Sequence, residues 1–234
     1  MFEKYQNFIA IVICGLLIGG GIILSKTIPQ NTSSEQKQQT ESDVKKELLT
    51  VAKKFNINKE KLTACLDSGN KKQTIADAVS LAEKSGVAGT PTFFIIKRTI
   101  GSDDRIISEK QFPIIGARDK ATILKSIETE ISPDGQPALS GEKIVLSDSD
   151  HWLGSRRAST IIVMYSDIDC PFCKRAEPII QEILAEHPEF GFVYRHSPIT
   201  TLHPFAAYKA EATECVKEIS DEKTFWNYLR ELAK

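Results

Sequence analysis

The spacing of apolar residues predicts three helices at the start of the folded region. Val44, Leu48 and Val51 recur every three or four positions, which indicates one buried helix face. A second helix is expected to begin after Asn58, whose side chain suits an N-terminal cap. A third is expected over residues 70–86, ending at a glycine, a residue that commonly follows a helix.

Short apolar runs then replace the helical spacing, and such runs are typical of strands. Strands are predicted at residues 91–96, 111–115, 143–146, 160–165 and 190–195. One helix is expected to be capped by Asp119 and to carry Ile131 on its inner face, another directly follows residue 170, and two follow residue 203. The alternation of strands and helices predicts an α/β fold.

Composition divides the chain into segments. Residues 132–142 contain two prolines and two glycines and predict an internal linker between a first half, 43–131, and a second half, 143–234. Residues 27–42 consist mostly of Gln, Ser, Thr and Asn, so they are expected to form a flexible tether. The functional region is therefore expected over residues 43–234.

The N-terminus carries a long apolar run. Residues 8–24 contain no charge and lie between Lys4 and Lys26. As a helix this run would be about 26 Å long, slightly less than the ~30 Å of a hydrocarbon core. We therefore expect an N-terminal transmembrane helix, a single-pass membrane anchor within residues 1–26. A cleaved signal peptide and lipid attachment at Cys14 are the alternatives.

Charge and composition exclude several classes of protein. The chain has 30 Lys plus Arg and 31 Asp plus Glu, a formal net charge of −1, which gives no electrostatic reason to expect a nucleic acid partner. Hydrophobic residues make up 41% of the chain. This value excludes a wholly disordered or multi-span membrane protein.

The candidate chemistry lies in a CxxC pair, Cys170 and Cys173. The pair follows a predicted buried strand and begins a predicted helix, so the first sulfur lies at the helix N-terminus, where a thiolate is favoured. The second sulfur lies one turn along, close enough to resolve a mixed disulfide. Pro171, between them, suits the first helical turn.

Other interpretations of the pair stay open. A zinc site would need two further ligands, and Cys65, Cys215 and His203 show no second paired spacing. A purely structural local disulfide or a pair of inert thiols is also possible. We expect no metal.

The region 43–234 resembles a DsbA-like protein of the thioredoxin superfamily. The segments YSDIDCPFCKRAEPIIQEIL and VYRHSPITTLHPFAAYKAEATEC are similar to the first half of that family, and LTACLDSG, GVAGTPTFFII and IIGA to the second. The resemblance implies a thioredoxin-like fold with a helical insert. It also implies that Pro91, after Thr90, is a cis-proline that faces the active-site cysteines, and that the Thr90 backbone pairs with an extended substrate.

The two halves stand in the reverse of the family order. As one domain, the chain is interpreted as a circular permutation, with residues 132–142 joining the former termini. A swapped dimer and an incomplete fold are the alternatives. In the permuted domain, Cys65 and Cys215 both lie in the helical insert, where some relatives carry a structural disulfide. We expect these two cysteines to be bonded, the alternative being two buried free thiols.

The resemblance implies an enzyme that needs no organic cofactor, since the cysteine pair is itself the redox centre. Its expected function is to form disulfides in reduced secreted or envelope proteins outside the cytoplasm of a bacterium, anchored in the cell membrane. A quinone-linked membrane disulfide oxidase is the expected recharging partner, and Phe172 is expected to be exposed beside the reactive sulfur. An isomerase, a reductase and a redox-inert binding or chaperone module are the alternatives. We expect His196 and His203 to make local hydrogen bonds, and His151 and His187 to lie in loops.

Overall fold

A computed structural model describes residues 39–135 and 140–234. These residues form seven α-helices and five strands, and the predicted α/β class is confirmed. In chain order the elements are α1 Glu41–Lys54, α2 Lys59–Ser68, α3 Lys72–Lys84, β1 Thr92–Ile100, β2 Ile106–Ile115, α4 Lys120–Thr129, β3 His151–Gly154, β4 Thr160–Ser166, α5 Pro171–Glu186, β5 Gly191–His196, α6 Ala206–Ile219 and α7 Glu222–Leu232.

Side-chain caps explain where several helices begin. The side chains of Asn58, Asp119 and Asp221 accept hydrogen bonds from the third residue beyond them, at the starts of α2, α4 and α7. Thr40 and Asp43 form a reciprocal capping box, so α1 starts at Glu41, inside the segment predicted as tether. The cap signals in the sequence therefore fix these boundaries.

The five strands form one mixed sheet in the order β2-β1-β4-β5-β3. Strand β1 pairs antiparallel with both β2 and β4, β4 pairs parallel with β5, and β3 pairs antiparallel with β5. Strands β1 and β2 come from the first half of the chain, and the other three from the second half. A sheet of this kind with helices around it fits a thioredoxin-like fold. The permuted order of the halves stays a prediction.

Alternate residues of the central strands face two different cores. Phe93, Ile95 and Met164 belong to the larger core, which buried residues from all seven helices complete. Phe94 and Val163 belong to a smaller core on the other face, which includes Ala82 of α3. Strand β4 is buried along its whole length because both faces are covered.

Three other predictions from the sequence are wrong. Residues 143–146 form no strand. Instead, the amide side chain of Gln111 pairs with the backbone N–H and carbonyl of Ile144, both at 2.8 Å. His151 was expected in a loop but lies in β3, buried beside β5. Residue Ile131 lies beyond the end of α4 and is 65% exposed, so it does not belong to the inner face of that helix.

The predicted anchor, residues 8–24, lies outside the described residues. Within 39–135 and 140–234, no helix combines the length and apolar character that crossing a membrane requires.

A disulfide joins Cys65 of α2 to Cys215 of α6. Its Cα atoms are 5.9 Å apart, and the two cysteines are separated by 150 positions in sequence. Both residues are buried in the larger core, where α2 packs against α6. The bond therefore links the helices of the first half covalently to those of the second.

Removing this disulfide is expected to destabilise the fold. We predict that the double variant C65A/C215A lowers the free energy of unfolding by about 2–5 kcal/mol, because the unfolded chain loses a long covalent loop and the core loses packed sulfur atoms. Urea unfolding followed by circular dichroism measures the change. The double variant C170A/C173A is the matched control, since it also removes two buried sulfurs, and an equal loss in both variants would contradict the prediction.

Candidate active site

The CxxC pair lies at the junction of β4 and α5. Cys170 occupies the N-terminal cap of α5, and Pro171 fills the first helical position, where the missing N–H leaves no donor unpaired. The free N–H groups and the dipole of a helix N-terminus favour negative charge. The local sequence therefore places the Cys170 sulfur where a thiolate is stabilised.

The segment before β1 faces this junction from the first half of the chain. The peptide bond between Thr90 and Pro91 is cis. The Cys170 thiol donates a hydrogen bond to the Thr90 carbonyl, with 3.4 Å between sulfur and oxygen. Pro91 has no N–H to donate, and its carbonyl accepts a hydrogen bond of 2.9 Å from the N–H of Gly116. The structure thus brings together residues that are 80 positions apart.

The second cysteine is buried in the larger core, as Cys170 is. Cys173 is 4% exposed, and its sulfur accepts a long hydrogen bond of 3.5 Å from the backbone N–H of Asp167. Burial raises the pKa of the Cys173 thiol from 9.0 to about 12, because the loss of water around a thiolate outweighs that hydrogen bond. Cys173 is therefore a protonated thiol at neutral pH when the pair is reduced.

A buried carboxylate holds the loop between β4 and α5. Asp167 is 1% exposed, and its side chain accepts hydrogen bonds from the N–H groups of Asp169 and Ile199 at 2.8 and 2.7 Å. The Nδ1 atom of His203 lies 2.9 Å from the same carboxylate. Asp167 thereby ties the loop that carries Cys170 to the segment that follows β5. His203 makes the local hydrogen bond that was expected of it.

An aromatic side chain stands exposed between the two cysteines. Phe172 is 53% exposed, and the guanidinium carbon of Arg175 lies 4.4 Å from its ring centre. A cation at this distance from the face of an aromatic ring is attracted to it. Phe172 therefore offers apolar surface next to Cys170, as the sequence predicted.

One cluster among the described residues has the composition of a metal site. His151, His196 and Glu214 each bring one possible ligand atom within 4.8 Å of the others. The Nε2 atoms of His151 and His196 lie 2.6 and 3.3 Å from the same oxygen of Glu214. Ligand histidines usually donate their outer N–H to an acceptor, but Nδ1 of His151 lies 3.0 Å from the ammonium of Lys217. The arrangement favours a hydrogen-bonded cluster.

The pKa values of the two histidines in this cluster are shifted in opposite directions. Burial lowers the pKa of His151, but the hydrogen bond to Glu214 and the carboxylate of Glu222, 3.9 Å away, outweigh it and raise that pKa above its ordinary value. Burial dominates for His196, whose pKa is lowered. The cluster therefore binds β3, β5 and α6 to one another through charge and hydrogen bonds.

Sequence reasoning singled out Cys170, Pro171, Phe172, Cys173, Thr90 and Pro91, and the structure gathers these residues at one junction. It missed the linking role of Asp167 and the buried Lys209, whose ammonium lies 2.8 Å from the Asp169 carboxylate. The signal for Asp167 was its place directly after a fully buried strand. Lys209 carries no such signal, because its partners lie far away in sequence.

Two known families match parts of the chain. The DSBA-like thioredoxin domain family matches residues 33–113, and the Thioredoxin family matches residues 146–234. The first match contains Thr90 and Pro91, and the second contains the CxxC pair. Each family therefore covers one side of the junction described above.

Several proteins named Na(+)/H(+) antiporter are similar to part of this chain. Na(+)/H(+) antiporter NhaA 3 of Salinispora tropica is 40% identical over 79 residues, which are 34% of this chain and 12% of that protein. Na(+)/H(+) antiporter NhaA 1 of Mycolicibacterium vanbaalenii is 30% identical over 156 residues, 64% of this chain and 25% of that protein. The chain thus spans a quarter or less of these relatives. No solved structure matches it significantly.

The two thiols are expected to react very differently with an alkylating agent. At pH 8 the Cys173 thiol, whose pKa is about 12, is about 1,000-fold less ionised than it would be at its ordinary pKa of 9.0. We predict that limiting iodoacetamide labels Cys170 and spares Cys173 in the folded, reduced chain, and that labelling of Cys173 increases about tenfold per pH unit from pH 8 to 11. Peptide mapping by mass spectrometry measures both sites. The chain in 8 M urea is the control, where labelling of both sites becomes comparable. Equal labelling in the folded chain contradicts the prediction.

Proposed function

Because the chain is a DsbA-like protein of the thioredoxin superfamily, we propose that it is a protein thiol-disulfide oxidoreductase whose reactive pair is Cys170 and Cys173. One observation carries the proposal. Cys170 occupies the N-cap position of α5, and its thiol contacts the Thr90 carbonyl beside the cis peptide bond of Pro91. An attacking sulfur at a helix N-terminus, with a second sulfur one turn along the helix, is the arrangement that disulfide exchange requires.

The exchange proceeds in two steps that balance. In the oxidised pair, a substrate thiolate attacks the Cys170 sulfur, the bond to Cys173 breaks, and Cys173 leaves as a thiolate that takes up a proton. A second substrate thiolate then attacks the substrate sulfur of this mixed disulfide, and Cys170 leaves as a thiolate. The substrate loses two electrons and gains a disulfide, and the Cys170/Cys173 pair gains both electrons. The raised pKa of Cys173 supports its role, because it retains the proton that it takes up.

We propose oxidation of protein dithiols as the direction. The substrates would be reduced or unfolded secreted and envelope proteins, whose extended chains would meet the Thr90 backbone and the exposed Phe172 ring. The reaction needs no organic cofactor or metal, since the cysteine pair carries the electrons.

The proposed place of action is the outer side of a bacterial cell membrane, with residues 8–24 as a single-pass anchor. Thiols are not held reduced there, so an oxidant can work. A quinone-linked membrane disulfide oxidase is the proposed recharging partner, on family grounds. The proposal does not extend to ion exchange, because the chain spans 12% and 25% of the two antiporters described.

Substitution of each cysteine is expected to stop the reaction at a different point. With an oxidised full-length chain and a reduced peptide that contains two cysteines, the C170S variant forms no covalent product and no peptide disulfide. The reduced C173S variant, given the same peptide in its disulfide form, accumulates a mixed disulfide: Cys170 attacks the peptide disulfide, the second peptide sulfur leaves as a thiolate, and no Cys173 thiol is present to release the product. Non-reducing mass spectrometry detects both outcomes, and C14S, which leaves the pair intact, is the control with normal turnover.

The same preparation discriminates between the alternative functions. Equilibration with a glutathione series is expected to give a single two-electron transition with a reduction potential near −120 mV, about the value of a strong disulfide oxidant. A value near −270 mV would replace the oxidase with a reductase, and an intermediate value with an isomerase. A separate test in cells addresses the remaining alternative, because full activity of the C170S variant there would favour a redox-inert binding module.

The proposed location places Cys170, which is 5% exposed, on the outer side of the cell membrane. We predict that a membrane-impermeant maleimide labels Cys170 in intact cells after mild reduction, and that the C170S variant loses this label. Mass mapping of the purified chain identifies the site. Labelling that occurs only after the cells are lysed would place the domain in the cytoplasm and contradict the proposed location.

A further inference from the structure

Lys209 is a buried cation next to the active-site loop. Lys209 lies on α6 and is 6% exposed. Its Nζ atom lies 2.8 Å from a carboxylate oxygen of Asp169 and 3.3 Å from one of Glu47. Burial alone would lower the pKa of Lys209, but the hydrogen bond to Asp169 and the charges of Asp169 and Glu47 outweigh burial and raise it. Lys209 is therefore positively charged at neutral pH.

Asp169 connects this cation to the reacting sulfur. It directly precedes Cys170 in the chain, and its side chain is 20% exposed. Its backbone N–H is fixed by the carboxylate of Asp167, which limits how far the loop can move. A bare carboxylate at this position would oppose a thiolate at Cys170, because like charges at short range repel each other in a partly buried site.

Stability alone gives a poor account of Lys209. Taking an ammonium group out of water costs several kcal/mol. A protein with apolar residues of similar size in place of a buried ion pair is often at least as stable. Buried alanines lie on both sides of Lys209 in α6, at positions 206, 210 and 212. A cation among them, paired with the residue next to the reactive cysteine, therefore points to an effect on that cysteine.

We propose that Lys209 is a positioning residue that sets the reduction potential of the Cys170/Cys173 pair by neutralising Asp169. The inference rests on the proposed function. A stabilised Cys170 thiolate favours the reduced pair, which makes the oxidised pair a stronger oxidant. Lys209 thus raises the potential, and Asp169 without its partner lowers it. The reaction is the two-electron exchange given above, with no further reactant.

The potential of matched variants tests this directly. In the full-length chain equilibrated with glutathione, we predict that K209M shifts the equilibrium constant about three- to tenfold towards the oxidised pair, equivalent to a potential lower by about 15–30 mV. K209R keeps the charge and is expected to stay near the wild-type value. D169N removes the opposing carboxylate and is expected to shift the constant in the other direction. The double variant K209M/D169N is expected to recover most of the loss.

Controls separate this effect from a loss of structure. K54M also removes a lysine from an ion pair, that with Glu231, and is expected to leave the potential unchanged. If K209M does not fold, D169N decides, since Asp169 is partly exposed and its variant must still shift the potential upward. An unchanged potential in D169N, or in a folded K209M, overturns the role of Lys209. A wild-type chain without a two-electron transition overturns the proposed function itself, and this inference with it.

Discussion

Residues Thr92–Lys97 of β1 pair with Thr160–Tyr165 of β4, and the rest of the site depends on this antiparallel ladder. The ladder fixes the register between the two halves of the chain. Because β1 begins directly after Pro91 and β4 ends directly before the CxxC loop, the register also fixes the distance between Thr90 and Cys170. A shift by one residue would turn each core side chain to the opposite face and break both cores. The geometry of the chemistry is thus set by the packing of the sheet.

Buried polar groups also join the two halves of the chain. Arg195 makes two hydrogen bonds to the carboxylate of Asp150 and one of 2.8 Å to the hydroxyl of Tyr165. That hydroxyl also lies 3.1 Å from Ser85, at the end of α3 in the first half. Asp167, directly after β4, likewise joins neighbouring segments through its hydrogen bonds to Asp169 and Ile199. Such satisfied networks are rigid, because each donor or acceptor left unpaired in the interior would cost about 1–3 kcal/mol.

Local signals made much of the fold and the core of the site predictable from the sequence. The caps at Asn58 and Asp119, the buried run of β4 and the CxxC pair after it are all features of neighbouring residues. The resemblance supplied the rest, including the pairing of Cys65 with Cys215, which the structure joins. The errors at β3 and at residues 143–146 share one cause. Strand β3 exists because β5 lies beside it, and residues 143–146 are held by a glutamine side chain from β2, so tertiary contacts override the local pattern. The burial of Lys209 has the same origin.

The Cys65–Cys215 disulfide has a topological consequence. It closes a covalent ring that contains the cis-proline segment, the CxxC helix and the whole of residues 132–142. A protease that cuts the backbone once within that linker would leave two fragments, each carrying one of these cysteines, still joined through sulfur. Their strands would remain at high effective concentration for each other. The two fragments therefore stay joined as a nicked protein until a reductant opens the bond.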